Sequence, residues 1–463
     1  MRVGIIGGGA AGLAAAYEVG RHGQEAVVYE RAPFLGGQAS TFPIGGAPLE
    51  RGYHHLFTSD VDILWLAREI GLGHRVAWLP SRVGLFHEGR IWPFTTPLDL
   101  LRFRPLTLPQ RLRLGVASLY LRRYRNWRAL EPYTASQRLP RLVGRRPYEV
   151  VWEPLLRGKF GSHYREVGMA WFWGKIALRF ASRGRWMTRE VLGYPMGSFG
   201  EVFDTLGERV RRMGGHVHTA TPVRRVLVEE GRVVGLEVAY PDGVRREAFD
   251  AVIATVPSFV FPRLVPGLPP SYLQRLTGVT YLAAVLIVLA LKRPLSPVYW
   301  LNIADRSIPF VALIEHTNFI PPEHYGGLHI VYLSNYLDKE DPLFHLGHEE
   351  LLEVYLPHLR RINPAFDPSW VVESHYHREE AAQPVVGAHY SRQIPPHRTP
   401  IRGLYLANTT QIYPEDRGTN YSVRLGRKVA RMLLKDYGIP VQGELPRPAI
   451  PDGITSAEEW GEA

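Results

Sequence analysis

The chain has 463 residues, with 45% apolar and 21% charged side chains, ordinary globular usage that excludes disordered and fibrous classes. It contains no cysteine, which removes disulfides, thiolate metal sites, iron–sulfur clusters and thiol nucleophiles together, and no metal site is expected. The net charge of +11 is concentrated in residues 101–150, where twelve Arg and no Lys stand against two acids, Glu131 and Glu149, so the basicity is a patch.

In chain order, a short apolar strand (Val3, Ile5, Ile6) runs into Gly7-Gly8-Gly9-Ala10-Ala11-Gly12, a G-x-G-x-x-G turn. A helical stretch from Leu13 to Gly20 follows, then a second apolar strand, Ala26 to Tyr29, that ends on Glu30. Each residue type has a mechanical reason. Gly7 makes a tight turn, Gly9 lets a pyrophosphate approach the backbone, and Gly12 lets helix and strand pack closely. The helix N-terminus at Ala10 and Ala11 then faces a diphosphate, and Glu30 lies at the right distance to accept hydrogen bonds from a ribose diol. NAD and FAD share this fingerprint, so the following segment decides between them.

That segment reads Arg31-Ala32-Pro33-Phe34-Leu35-Gly36-Gly37-Gln38-Ala39-Ser40-Thr41. It resembles the extended dinucleotide motif of the flavin amine oxidase, protoporphyrinogen oxidase and phytoene desaturase superfamily. The resemblance implies non-covalently bound FAD, with Gly37 passing over its phosphates. Gln38 stands where the family usually has Arg, so that phosphate contact passes to an amide or to Arg31.

The resemblance continues in order along the chain. Gly214 to His218, Thr221-Pro222-Val223 and Asp250 to Pro257 read as a β-rich return to the nucleotide domain, with the Val223 backbone at the adenine. Gly403 to Asn408 reads as a strand ending near the cofactor, with Asn408 offering an amide to the ribityl chain where the family often has an acid. Gly418-Thr419-Asn420-Tyr421 resembles the closing motif, which opens a helix from Arg424 to about Tyr437 aimed at the flavin pyrimidine ring. Thr419 or Asn420 is the expected N-cap. A helix dipole directed there stabilises the negative charge that develops on a flavin accepting hydride.

The candidate catalytic residues are His54, Lys175 and Arg417. Glu50 to Thr58 resembles the family segment lining the isoalloxazine, at Tyr53 and His54. Its Gly-x-His-x-x-x-Thr pattern also resembles UDP-galactopyranose mutases, which favours His54 over a His55 pointing the other way; the alternative is that both are structural. Trp171-Phe172-Trp173 with Lys175 reads either as an aromatic wall over the flavin with a lysine near N5, or as core. Arg417 directly precedes the flavin helix and reads as a ligand for an anionic substrate or the flavin edge, or as one half of a surface ion pair. Residues 106–130 read as a helix with Leu112, Val116, Leu119, Tyr120, Tyr124 and Trp127 on one side and Arg111, Arg122 and Arg125 on another. It could meet an anionic membrane, funnel an anionic substrate or present a solvated face. No nucleic-acid motif accompanies the charge.

The expected fold class is α/β with an α+β second domain. A Rossmann-like FAD-binding domain of the glutathione-reductase and amine-oxidase type (1–90, 190–265 and 398–438) is interleaved with a mixed-sheet and helical substrate domain (91–189 and 266–397). Residues 441–463 read as a flexible tail. The expected function is an FAD-dependent oxidoreductase that abstracts a hydride from a lipophilic small molecule. The alternatives are a non-redox flavin mutase acting on a nucleotide sugar and a non-catalytic FAD-binding protein. A cytoplasmic protein, peripheral to an anionic membrane, is expected. The opening residues carry no apolar signal core, and the longest apolar run, Tyr281 to Leu291, falls short of the ~20 residues of a membrane span.

Overall fold

The computed structural model describes residues 1–181 and 190–446. The N-terminal apolar strand is central to a five-stranded parallel sheet. Its strand order is Leu404–Leu406, Ala251–Ala254, Arg2–Ile6, Glu25–Tyr29, His216–His218. Ile5 pairs in register with Val28 on one side and Ile253 on the other. Helices cover such a sheet, so its strands read as continuous apolar runs. Helix Ala10–Arg21 and the closing helix Thr419–Asp436 pack against each other so tightly that a Cβ on Gly426 would lie 2.0 Å from the Ala11 carbonyl oxygen.

A seven-stranded sheet forms the second unit, in the order Val371–Pro384, Tyr281–Leu291, His329–Leu337, Ala312–Glu315, Trp300–Ile303, Val83–His87, Arg90–Pro93. It is antiparallel except where Trp300–Ile303 runs parallel to Val83–His87. Tyr281–Leu291, the longest apolar run, is an interior strand of this sheet and is buried throughout. Its side chains alternate as strand geometry requires. Ala284, Leu286 and Val288 join the core shared with the parallel sheet, while Val285, Ile287 and Leu289 pack with Leu351 and Tyr355 of helix His348–Ile362. Among the described residues no helix is long and apolar enough to cross a membrane. A third, largely helical layer (Pro97–Arg102, Leu108–Arg123, Glu153–Phe160, Met169–Ala181) closes the side of the seven-stranded sheet nearest the loop before the closing helix.

Three expectations shift. The first nucleotide-binding segment does not run to residue 90, because Val83–His87 is hydrogen-bonded into the seven-stranded sheet. The closing helix begins at Thr419, five residues early, and its N-cap is Gly418 with no side-chain capping bond, in place of Thr419 or Asn420. The tail is tied down at its start: Gln442 N–H donates to His22 Nε2 (3.1 Å) and Arg424 donates to the Pro446 carbonyl (2.7 Å). Residues 447–463 lie outside the described residues.

Candidate active site

The glycine turn is held by close contacts that exclude side chains. Gly7 has φ +107°, a left-handed conformation that glycine adopts without strain. A Cβ on Gly12 would sit 1.9 Å from the Gly7 carbonyl oxygen. The second glycine pair docks on the first: Gly36 N–H donates to the Gly8 carbonyl at 3.0 Å, and a Cβ on Gly37 would lie 3.2 Å from the Gly9 Cα. Helix Ala10–Arg21 starts at this point with Gly9 as N-cap, no side-chain cap and no acid in its first turn. Its first N–H groups, those of Ala10 and Ala11 among them, therefore remain as an uncapped positive end.

Glu30 closes the turn from below. Its carboxylate accepts Gly8 N–H and Ala32 N–H, both at 2.7 Å. Its backbone carbonyl takes Thr221 N–H at 2.8 Å, which brings Pro222 and Val223 alongside. The exposed Arg31 borders the same region.

One cavity of about 1130 Å³ is lined at the nucleotide-binding turns by Glu30, Phe34 and Gly37. Tyr53, His54, Arg417 and Thr419 also line it, as do the apolar Leu100, Leu114, Trp171 and Phe172. That exceeds the roughly 300–1,000 Å³ of a single-ligand pocket. In its middle, Arg417 donates to Gln383 Oε1 (3.0 Å), the Tyr336 hydroxyl (3.0 Å) and Gln38 Oε1 (3.4 Å). Tyr336 in turn meets the Tyr53 hydroxyl at 3.3 Å. Gln38 also donates to the Ala381 carbonyl at 2.8 Å, so it links the glycine loop to the seven-stranded sheet. Arg417 is thus an interior residue and not half of a surface ion pair.

His54 and His55 both line the cavity, contrary to the expectation that they diverge. The chain at 53–55 is irregular and not a strand, so side chains need not alternate. His54 Nδ1 donates to the Gly52 carbonyl (2.6 Å), and His55 Nδ1 lies 3.0 Å from the Tyr299 hydroxyl. Burial lowers their pKa values to about 4 and about 3, so both are neutral near pH 7.

Two expected cofactor contacts have their side chains engaged elsewhere. Asn408 donates to the Val256 carbonyl and Ser258 Oγ and accepts from Thr410, so its amide is saturated inside the protein. Asn420 Oδ1 accepts Asp62 N–H (2.9 Å) and Ile63 N–H (3.1 Å), capping the neighbouring helix Val61–Glu69. Thr419, Asn420 and Tyr421 all border the cavity, with Asn420 turning its Oδ1 to that helix. Of the aromatic triplet, Trp171 and Phe172 face the cavity, while Trp173 is core, with its indole N–H donating to the Leu121 carbonyl (2.9 Å).

Sequence reading missed the partners of Lys175. Its ammonium donates to Asp416 Oδ2 at 2.6 Å, and Lys159, from helix Glu153–Phe160, donates to the same oxygen at 2.7 Å. Burial pushes the Asp416 carboxyl up, but Lys159, Lys175 and Arg417 outweigh it and hold the group below the usual carboxylate range. Burial, reinforced by Lys175 and Arg417 and opposed by Asp416, takes Lys159 well below an ordinary lysine. A signal was present: only six of the 55 basic residues are Lys, and two of the six meet at one carboxylate.

The geometry accommodates a flavin dinucleotide. Two glycine turns leave a cradle, an uncapped helix end faces it, Glu30 supplies an acceptor, and a second uncapped helix begins at Thr419 beside the cavity. The described residues contain no group of acidic or His side chains able to hold a metal ion.

Comparison with known proteins agrees. The family model described as flavin containing amine oxidoreductase matches residues 10–434. A carotenoid phi-ring synthase from Streptomyces griseus is 26% identical over 294 residues, 58% of this chain and 54% of that protein, so the match spans about half the relative's length. A putative protoporphyrinogen oxidase from Exiguobacterium superposes with a TM-score of 0.72 at 20% identity, over 94% of this chain and 99% of that one. A reduced UDP-galactopyranose mutase superposes with a TM-score of 0.71 at 16% identity, over 95% and 96% of the two chains; at such identities the likeness is one of fold. The chain belongs to the flavin-containing amine oxidoreductase family and is an FAD-dependent oxidoreductase.

Proposed function

We propose that this enzyme oxidises a lipophilic organic molecule taken from the surface of an anionic membrane. The observation that carries the reading is the lining of one cavity, which joins Gly37 of the glycine turns to apolar residues that include Leu114 and Leu119 of helix Leu108–Arg123. Leu119 both lines that cavity and is exposed on the outer surface. The helix presents Leu112 and Val116 outward, 52% and 67% exposed, and turns Leu114, Ala117 and Leu121 inward. Leu98, Leu101, Leu108 and Tyr120 extend the exposed apolar face, and Arg102, Arg104, Arg123 and Arg125 are exposed around it. An apolar face ringed by Arg suits the boundary between anionic headgroups and acyl chains, each Arg contributing about 1 kcal/mol. The carotenoid in the name of the Streptomyces relative is a molecule of this lipophilic class.

In this reading Gly7, Gly9, Ala11, Gly12 and Gly37 hold the FAD pyrophosphate, Glu30 its ribose, and Val223 its adenine. The helix end at Thr419 and Tyr421 faces the flavin edge, and Tyr53 and His54 wall the ring. The flavin, when bound, supplies the hydride acceptor. The apolar chamber excludes water and aligns the substrate C–H bond. Neutral His54, protonated on Nδ1 through its bond to Gly52, keeps Nε2 as an acceptor, and Arg417 orients polar substrate atoms. Anaerobic mixing of the holoenzyme with a carotenoid or porphyrinogen in anionic liposomes should bleach the flavin bands. Bands that persist with every lipophilic donor, yet bleach with dithionite, would refute the proposal.

A further inference from the structure

The chamber is apolar, yet cations outnumber acids where Lys159 and Lys175 line it. Both donate to one carboxylate, Asp416, and the charge of Arg417 faces Asp416 and, less strongly, Glu379. The three acceptors of Arg417 are the uncharged Gln383, Gln38 and Tyr336. Each ammonium gives Asp416 one of its three donors, both to the same oxygen. The Lys159 side chain is 19% exposed and that of Lys175 42%, and both line the cavity. Both ammonium groups stand near the face of Trp171, 5.4 and 5.9 Å from its ring centre, where apolar chamber and charge meet.

A partly buried excess of cations is unfavourable unless an anion completes it. We propose that Lys159 and Lys175 form a carboxylate-binding subsite, so that the substrate is an amphiphile. Its acid head sits between the two ammonium groups and its apolar body lies along Trp171, Phe172, Leu155 and Leu114. Burial first, then Lys175 and Arg417, lower the pKa of Lys159 against the opposing Asp416, and a bound carboxylate would side with Asp416. The inference rests on the lipophilic-substrate reading and adds the chemical class of the head group.

The test is a titration of the oxidised, FAD-loaded enzyme with decanoate and with 1-decanol, following the shift of the flavin absorption bands. Decanoate should bind roughly tenfold or more tightly than decanol, the margin expected of charge-assisted hydrogen bonds. Lys159→Gln and Lys175→Gln should each erase that margin and leave decanol binding unchanged. Lys339→Gln, which removes a lysine paired with Glu380 outside the cavity, should preserve it. Equal binding of the two probes to the unaltered enzyme would overturn the subsite and leave the lipophilic chamber standing. Binding of neither probe would overturn both.

Discussion

Glu50 offers a quantitative check on how the cavity wall is held. It ends strand Ala47–Glu50, is fully buried, and directly precedes the cavity-lining residues Arg51 to His55. Its carboxylate accepts Phe199 N–H (2.7 Å) and the Tyr194 hydroxyl (2.9 Å), while its backbone carbonyl accepts the Tyr332 hydroxyl (2.7 Å). Burial outweighs those hydrogen bonds and raises its pKa from 4.5 to about 7. An acid raised in the folded state holds its proton where the unfolded chain has lost it, so stability falls as pH rises from 4.5 through 7. At about 1.36 kcal/mol per unit the full contribution is about 3 kcal/mol, most of which falls between pH 5 and pH 8. Glu50→Gln keeps an acceptor for Phe199 and offers Tyr194 a donor, but cannot ionise. Asp60, Asp62 and Glu315 are also raised, and they contribute equally to both proteins. Urea unfolding at pH 5 and pH 8, with FAD saturating and constant, isolates the Glu50 share as the difference between wild type and variant. The wild type should lose about 2–3 kcal/mol more than the variant over that range. Identical losses would refute the assignment of a neutral, buried Glu50.

Three further outcomes are expected. Leu112→Glu with Val116→Glu should abolish sedimentation with anionic vesicles at low salt and leave the flavin spectrum and melting temperature unchanged, because neither side chain packs in the interior; undiminished sedimentation would remove the membrane face. Glu30→Ala should weaken FAD retention by about 1–3 kcal/mol, measured as the dissociation constant of the reconstituted apoprotein, since it deletes a charged acceptor and orphans two N–H groups. Gly12→Ala, whose methyl would overlap the Gly7 carbonyl, should yield protein without flavin bands after gel filtration; a normally yellow variant would show that the turn yields.

What the sequence determined by itself is the part of the molecule whose geometry is local. The turn from Gly7 to Gly12 depends on residues within hydrogen-bonding reach along the chain, and Glu30 follows from the rise of one helix and one strand, so composition and spacing identify a dinucleotide site. The run Ala283 to Leu291, rich in β-branched residues, reads as a strand and is one. Its place does not follow from the sequence: only pairing with Val371–Pro384 and His329–Leu337 makes it an interior strand. The same limit applies to polar side chains whose partners are distant. Asn408 and Asn420 have the composition of ligand contacts, but the tertiary structure commits one to Val256, Ser258 and Thr410 and the other to a helix N-terminus. Lys159 and Asp416 lie 257 positions apart and meet only because the helical layer folds over the loop before Thr419. Periodicity marks Leu112 and Val116 as one face of a helix, yet which face turns outward is decided by where Leu114, Ala117 and Leu121 find a core. Sequence carries the spacing of a motif because covalent geometry transmits it; the partner of a side chain is a property of the packed whole, and there the substrate end of this enzyme was decided.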